Sequence, residues 1–180
     1  MKEIRLHGIG GLGTVKAGEL LVHTSVADGK YGNSIPFFGF ERQGAPVTSY
    51  VRLDEKEIRP KNQVYNPDCV IVLDPTVMNA VNVFEGVKDN SVLVLNTSLE
   101  DIGDLDLPDK ISKVAFLDAS DIALKTLKNQ ITNTIMLAAF AKATGWVNIK
   151  LLEEKVAGMF GEKNREAYKE GLKKVKIIER

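Results

Sequence analysis

Four glycines within residues 8–13 are the feature of this chain best suited to chemistry. Gly8, Gly10 and Gly13 match the pattern G-x-G-x-x-G, and Gly11 adds a fourth glycine. Glycine has no Cβ and tolerates positive φ, so such a turn can direct backbone N–H groups at an anion where the next helix begins. A short alternating run precedes the turn and a helical pattern follows it, which is the context such a turn requires. We therefore take all four glycines as candidate cofactor-binding residues.

A dinucleotide site requires more than this turn. It needs a second strand directly after the first helix, ending in an acidic residue about 20 positions beyond the glycines that binds the ribose. Residues 28–33 occupy that place and have the composition of a turn, and the next strand is predicted to begin near Val47. The pattern thus favours a tight turn, or a cradle for a different anion, over an NAD site. A free-standing NAD-binding oxidoreductase and a non-catalytic regulatory module remain as alternatives.

Few side chains are available for acid–base, redox or metal chemistry. The chain has two histidines: His7 adjoins the glycine turn, and His23 lies in the predicted first helix. Its single cysteine, Cys69, begins an apolar run and is typical of a small buried residue. One cysteine excludes a disulfide within the chain and any cluster or zinc site built from several of its own thiolates. We predict no catalytic residue and no metal ligand in this chain.

Composition narrows the class of protein and its partners. A chain of 180 residues with 44% hydrophobic content is long enough for one α/β domain, which we predict over residues 1–180. Its 24 basic and 24 acidic residues leave no net field for binding nucleic acid or an anionic membrane. The N-terminus lacks a signal-peptide core, and the longest apolar run is far shorter than the roughly 20 residues of a membrane span. We expect a cytoplasmic protein with neither a nucleic-acid nor a membrane partner.

The hydrophobic pattern alternates between strands and helices. Strands are predicted over residues 2–7, 47–53, 69–73, 91–95 and 111–117. Helices are predicted over 14–27, after Asp74-Pro75, after Asp118, and over 132–144, 149–160 and 164–177. The first strand alternates, which indicates one covered face and one face that is polar or turned toward a partner. The fold class is α/β: a single three-layer domain with a mostly parallel or mixed central sheet, a Rossmann-like start and C-terminal helices.

Residues 31–46 show neither a strand period nor a helix period. The segment is too apolar for disorder, and we predict a long, specific loop of the kind that is usually functional or interfacial. At its centre lie Glu41 and Arg42. The plainer interpretation of this pair is a solvated surface pair that contributes little to stability.

Two spaced motifs together identify a resemblance. The glycine turn is followed, some 30 residues later, by the segment Phe38 to Val47 with the sequence FGFERQGAPV. The chain resembles the gamma subunit of the pyruvate and related 2-oxoacid:ferredoxin oxidoreductases, in which a G-x-G-G-x-G turn is paired with a G-x-E-R-x-G-A-P-V segment. The segment Asp68 to Asp74 and the C-terminal helices fit the same family, so the resemblance covers nearly the whole chain.

The resemblance implies a subunit and not a self-sufficient enzyme. In the family, thiamine diphosphate and Mg²⁺ are bound by the alpha and beta subunits, and iron–sulfur clusters are bound mainly by a ferredoxin-like delta subunit. The complex converts a 2-oxoacid and coenzyme A into an acyl-CoA, carbon dioxide and reduced ferredoxin. Residues 42–47 resemble the pyruvate and branched-chain type more than the 2-oxoglutarate type, which makes pyruvate the first candidate substrate.

Within such a complex we hypothesise roles for the two motifs, because the turn is rich in N–H groups suited to phosphate and the aromatic loop is too apolar to lie in water. Residues 8–13 and 41–46 are expected to face the catalytic subunits, to close the active-site entrance and to contact coenzyme A. The candidate interface or coenzyme-A-facing residues are Phe38, Glu41, Arg42, Gly44, Ala45 and Pro46. The alternative, in which both motifs only shape this subunit, remains open, because glycine turns also permit close packing.

Overall fold

The computed structural model describes residues 1–38, 44–103 and 105–180. Its strands are β1 Lys2–Ile9, β2 Tyr31–Phe38, β3 Pro46–Asp54, β4 Cys69–Val72, β5 Ser91–Asn96, β6 Ile111–Leu117 and β7 Lys176–Glu179. Its α-helices are α1 Thr14–Ala27, α2 Ala119–Thr126, α3 Asn133–Thr144, α4 Ile149–Phe160 and α5 Glu162–Lys174, and a 3₁₀-helix spans Pro75–Asn79. The strands form one seven-stranded sheet in the order β2-β3-β1-β4-β5-β6-β7.

Strand direction places the sequence motifs at one edge of this sheet. β1, β4, β5 and β6 are parallel, whereas β3 is antiparallel to β1, β2 to β3, and β7 to β6. The four parallel strands therefore end at the same edge, where β2 also ends and β3 begins. We call this the carboxyl edge.

The centre of the sheet, at β4 and β5, is buried on both faces, whereas β7 at the edge is exposed. The described α-helices cover one face, and all of α3 except Lys142 and Thr144 is buried there, as expected for the most apolar helix. The other face is covered by the 3₁₀-helix, which contributes Val77, and by irregular segments, which contribute Val83 and Ile102. The predicted α/β class with a mixed sheet and C-terminal helices is confirmed, and the third layer is largely irregular.

The loop predicted over residues 31–46 is wrong for residues 31–38, because these residues form the strand β2. Every residue of β2 has a partner in β3, with Tyr31 opposite Asp54 and Phe38 opposite Val47. Proline is tolerated in edge strands, so Pro36 does not prevent the pairing. The sequence of β2 shows no alternation of polar and apolar residues, because its extended conformation depends on pairing with β3, which lies further along the chain.

Two further helix predictions were wrong. After Asp74 the chain forms only a short 3₁₀-helix, although the Asp74 side chain caps it by accepting from the Thr76 N–H at 2.8 Å. The Asn82 side chain accepts from the Phe84 N–H at 3.1 Å, a local bond that competes with a longer helix. The last helix ends at Lys174, and residues 176–179 pair with β6 as β7.

The first strand is also more buried than its alternation predicted. Arg5 and His7 face the irregular layer and are 7% and 5% exposed. The Arg5 guanidinium donates to the carbonyl oxygens of Val83 at 2.8 Å and Glu85 at 2.7 Å. The polar face of β1 is therefore covered by this chain itself, and it is not turned toward a partner.

Replacing Gly18 with alanine should destabilise the fold, although alanine is the better helix former. A Cβ at this position would lie 2.6 Å from both Ser34 Oγ and Ser49 Oγ, where α1 packs on the sheet. We expect Gly18→Ala to lower the free energy of unfolding by about 1–3 kcal/mol. The control Gly158→Ala, exposed in α4 with no atom near the new Cβ, should raise it by up to about 1 kcal/mol. Urea titration measures both; equal effects would contradict the close packing at Gly18.

Candidate functional site

The glycine turn connects β1 to α1 at the carboxyl edge. The Gly10 N–H donates to the Ala45 carbonyl at 2.9 Å, and the Leu12 N–H donates to the Ile9 carbonyl at 3.3 Å. Gly11 and Gly13 have φ values of 98° and 76°, which favour glycine. The strand, turn and helix of the predicted Rossmann-like start are thus present.

The glycines of the turn differ in what surrounds them. A Cβ at Gly8 would collide with Thr14 Oγ1, and a Cβ at Gly13 would collide with Asn133 Nδ2. These two glycines permit close packing of β1, α1 and α3. A Cβ at Gly11 would meet no described atom within 4 Å. Of the two positive-φ glycines in the turn, Gly11 is therefore the one whose open side could approach another molecule.

The described part of the second motif lies beside the glycine turn. In the β1–β3 register Gly8 is opposite Val47 and Ile9 is opposite Pro46, and the Gly10–Ala45 hydrogen bond continues this pairing. Gly44 is exposed, with a φ of 87°. The predicted residues Glu41 and Arg42 lie outside the described residues, as does the side chain of Phe38.

The amino ends of α1 and α3 also lie at this edge. In neither helix does the side chain of the N-cap residue accept a hydrogen bond, and neither has an acidic residue in its first turn. At α2, by contrast, the Asp118 side chain accepts from the Asp121 N–H at 2.8 Å, and Asp121 adds a second negative charge. The positive ends of the α1 and α3 dipoles are thus not neutralised locally, which favours a nearby anion.

A small cavity of about 200 Å³ opens beside the turn. It is lined by Ile9, Leu12, Leu73, Asp74, Asn96, Ser120, Leu124, Gln130 and Thr132. Asn96 Nδ2 donates to the Leu73 carbonyl at 2.8 Å, and Thr132 Oγ1 donates to the same oxygen at 3.1 Å. Asn96 Oδ1 accepts from the Ala119 N–H at 2.9 Å and so joins β5 to the start of α2.

Sequence reasoning did not find these polar residues. Asn96, Thr132 and Asn133 are each at most 3% exposed, yet they come from distant parts of the sequence. One usable signal was present: Asn96 directly follows a buried strand, and ligands of parallel α/β sheets bind beyond the carboxyl ends of the strands.

His7 lies on the sheet face opposite the cavity and is held as a neutral ring. The Arg5 Nε–H donates to His7 Nε2 at 3.1 Å, so His7 Nδ1 carries the proton toward Thr48 Oγ1 at 3.4 Å. Burial, assisted by the positive charge of Arg5, lowers the pKa of His7 to about 3. A histidine in this state does not exchange a proton near neutral pH.

Metal ligands were sought in the described segments, 1–38, 44–103 and 105–180. They contain no group of three or more His, Cys, Asp or Glu residues placed to hold a metal ion. Cys69 is buried, and burial raises the pKa of its thiol. These residues do not fit an iron–sulfur cluster or the Mg²⁺ of a diphosphate cofactor.

In the same segments, no helix has the length and apolar character needed to cross a membrane.

The geometry also disfavours a dinucleotide site, for a reason that differs from the sequence argument. A strand does follow α1, but β2 pairs with β3 and does not lie beside β1. Asp28 is at the far end of α1, about 21 Å from the glycine turn at 1.5 Å per residue. There it forms an ion pair with Lys30 at 3.1 Å, so it cannot bind a ribose at the turn.

The fold and site define an α/β protein whose glycine turn and second motif share one sheet edge. The family model described as pyruvate ferredoxin/flavodoxin oxidoreductase matches residues 3–176. The common gamma subunit of the pyruvate/ketoisovalerate oxidoreductases of Pyrococcus furiosus is 45% identical over 185 residues, covering 99% of this chain and 100% of that protein. Pyruvate synthase subunit PorC of Methanothermobacter thermautotrophicus is 49% identical over 171 residues, covering 93% and 92%.

A solved structure agrees with the family model. The crystal structure of pyruvate oxidoreductase subunit PORC from Thermotoga maritima superposes with a TM-score of 0.86 at 32% identity, covering 99% of this chain and 98% of that one. The chain belongs to the pyruvate ferredoxin/flavodoxin oxidoreductase family and is of the gamma-subunit type. The resemblance inferred from the two motifs is confirmed, and the NAD-binding alternative is not favoured.

Stability should fall on acidification because of His7. Its folded pKa of about 3 lies below the unfolded value near 6.5, so from about pH 6.5 downward the unfolded chain binds one more proton. The stability that depends on a neutral His7 is fully present above pH 6.5. As the pH falls from 6.5 toward 3, the free energy of unfolding decreases by up to about 1.4 kcal/mol per pH unit. Urea unfolding at several pH values gives the free energy of unfolding as a function of pH, and this free energy should fall less steeply with acidification in His7→Gln than in the wild type. An equal pH dependence in the two proteins would mean that the pKa of His7 is not lowered on folding.

Proposed function

We propose that this gamma subunit serves a complex that oxidatively decarboxylates pyruvate with coenzyme A. Pyruvate loses carbon dioxide, its acetyl group forms a thioester with coenzyme A, and the electron pair passes to ferredoxin. The partners would be alpha and beta subunits that bind thiamine diphosphate and Mg²⁺, and a ferredoxin-like delta subunit with iron–sulfur clusters. The relatives named for pyruvate support this substrate, and the relative that also serves ketoisovalerate makes a branched-chain 2-oxoacid the second candidate.

The observation that carries the proposal is the hydrogen bond from the Gly10 N–H to the Ala45 carbonyl. It places the two family motifs side by side, so they can act as one surface. We propose that this surface, formed by residues 8–13 and 44–46, faces the alpha and beta subunits and closes the entrance to their active site. Exposed Gly11 and Gly44 would stand at the contact, and Phe38, Glu41 and Arg42 would complete it.

The same surface suits the phosphate groups of coenzyme A. The N–H groups at the start of α1 lack a side-chain cap, and the first turn has no acidic residue to repel an anion. Gly11 would allow a phosphate to approach the turn, because no described atom lies within 4 Å of the position that its Cβ would take. Bound coenzyme A supplies the thiol that accepts the acyl group; this chain would bind and orient its phosphates.

The redox cofactors are assigned to the partner subunits. The described residues of this chain offer no fit for a cluster or for a diphosphate-bound metal, so we place no redox step on it. We further propose that residues 1–180 act as one domain, which is supported by a single sheet with strands from Lys2 to Glu179. The cytoplasmic location stays a prediction.

A methyl group at Gly11 should obstruct coenzyme A. We expect Gly11→Ala to raise the apparent KM of the assembled complex for coenzyme A about tenfold, the effect of losing one charge-assisted hydrogen bond. Gly29→Ala is a matched control: Gly29 also has positive φ (77°) and open space, but it lies beyond the other end of α1. Steady-state kinetics of both complexes measures the effect. An unchanged KM in Gly11→Ala would contradict a coenzyme-A-facing turn.

Arg42 tests the second motif. Removing its guanidinium in Arg42→Ala should weaken assembly or raise the KM for coenzyme A about tenfold, because a charged donor to a carboxylate or phosphate is lost. The control Arg59→Ala removes an exposed arginine from a connecting segment and should change neither quantity. Co-purification yield and kinetics of the complex report the two effects. If both variants match the wild type, the motif only shapes this subunit.

A further inference from the structure

Asn133 contacts the glycine turn from a distant part of the chain. Its Nδ2 donates to the Gly13 carbonyl at 3.4 Å, across 120 residues of sequence, and the residue is 1% exposed. Its Oδ1 accepts from the Thr134 N–H at 2.8 Å. Because Oδ1 faces a donor, the amide orientation is fixed and the NH₂ group must face Gly13.

Gly13 is the residue at which the turn becomes α1. It has a φ of 76°, and its carbonyl also accepts the first helical hydrogen bond, from the Ala17 N–H at 2.9 Å. A side chain at Gly13 would collide with Asn133 Nδ2, so the two residues fit closely. The peptide that Asn133 holds therefore sets the direction of the N–H groups of residues 14–16.

The start of α3 is itself held firmly. Thr132 Oγ1 donates to the Leu73 carbonyl at the end of β4, and Thr134 Oγ1 lies 3.2 Å from Asn164 Oδ1. Thr132 and Thr134 are at most 1% exposed. Asn133 is thus fixed on both sides, as a residue must be if it is to orient a binding group.

We propose that Asn133 is a positioning residue for the glycine turn: it orients the amino end of α1 and thereby sets the affinity of the complex for coenzyme A. The second part rests on the proposed function, in which the turn faces coenzyme A. Asn133 lies beneath the turn and acts through Gly13.

Asn133→Asp tests this role with little change in volume. An aspartate keeps an oxygen for the Thr134 N–H but places its second carboxylate oxygen, an acceptor without a proton, against the Gly13 carbonyl. In the purified complex we expect the KM for coenzyme A to rise about tenfold. The KM for pyruvate and kcat at saturating coenzyme A should stay within about twofold.

Thr144→Val is the matched structural control. It removes the hydrogen bond from Thr144 Oγ1 to the Phe140 carbonyl, 2.8 Å long, at the end of the same helix that is remote from the turn. Both variants should melt at a lower temperature, but only Asn133→Asp should change the KM for coenzyme A. Hydrogen–deuterium exchange of the complex gives a second readout: backbone N–H groups of residues 10–16 should exchange faster in Asn133→Asp and at the wild-type rate in Thr144→Val.

The two readouts separate the possible failures. Unchanged exchange at residues 10–16 in Asn133→Asp overturns the positioning role, whatever Gly11→Ala shows. Faster exchange with an unchanged KM for coenzyme A supports the positioning role and contradicts the proposed function of the turn. Equal KM increases in Asn133→Asp and Thr144→Val would also overturn the role, because they would indicate general loosening of α3.

Discussion

The hydrogen bond between the Gly10 N–H and the Ala45 carbonyl is the interaction on which the carboxyl edge depends. It extends the β1–β3 pairing by one step beyond Ile9 and Pro46. The β1–β3 register already places Gly8 opposite Val47 and Ile9 opposite Pro46, and this hydrogen bond continues the pairing into the glycine turn. It thereby brings the turn with Gly11 and the segment with Gly44 together at the carboxyl edge. The remaining elements hold this edge in place.

Two side chains that could take part in chemistry, His7 and Cys69, are buried, whereas His23 is exposed on α1. The pKa of His7 is lowered to about 3 by burial beside Arg5, and Cys69 lies in the central strand, where burial raises the pKa of its thiol. In the proposed function, the backbone N–H groups of the glycine turn bind coenzyme A, and the partner subunits carry the redox centres.

Much of the fold could be predicted from hydrophobic period alone: α1, β6 and α4 have the bounds that the sequence indicated. The failures were the helix predicted after Asp74, where only a short 3₁₀-helix forms, and β2 and β7, edge strands whose conformation depends on the neighbour with which each pairs. The glycine turn was recognisable because its spacing is local. Asn96, Thr132 and Asn133 were not, because only the folded sheet brings them to the turn. The predicted site residues Glu41 and Arg42 lie outside the described residues, so their roles stay predictions.

Site-specific photo-crosslinking of the assembled complex tests the central claim, that the carboxyl edge faces the catalytic subunits. A photoreactive amino acid would replace Leu12, within the glycine turn, or Val26, which is 57% exposed near the other end of α1. The account predicts that position 12 crosslinks to a thiamine-binding subunit and that position 26 does not. Crosslinking of position 26 to such a subunit, with none from position 12, would contradict it.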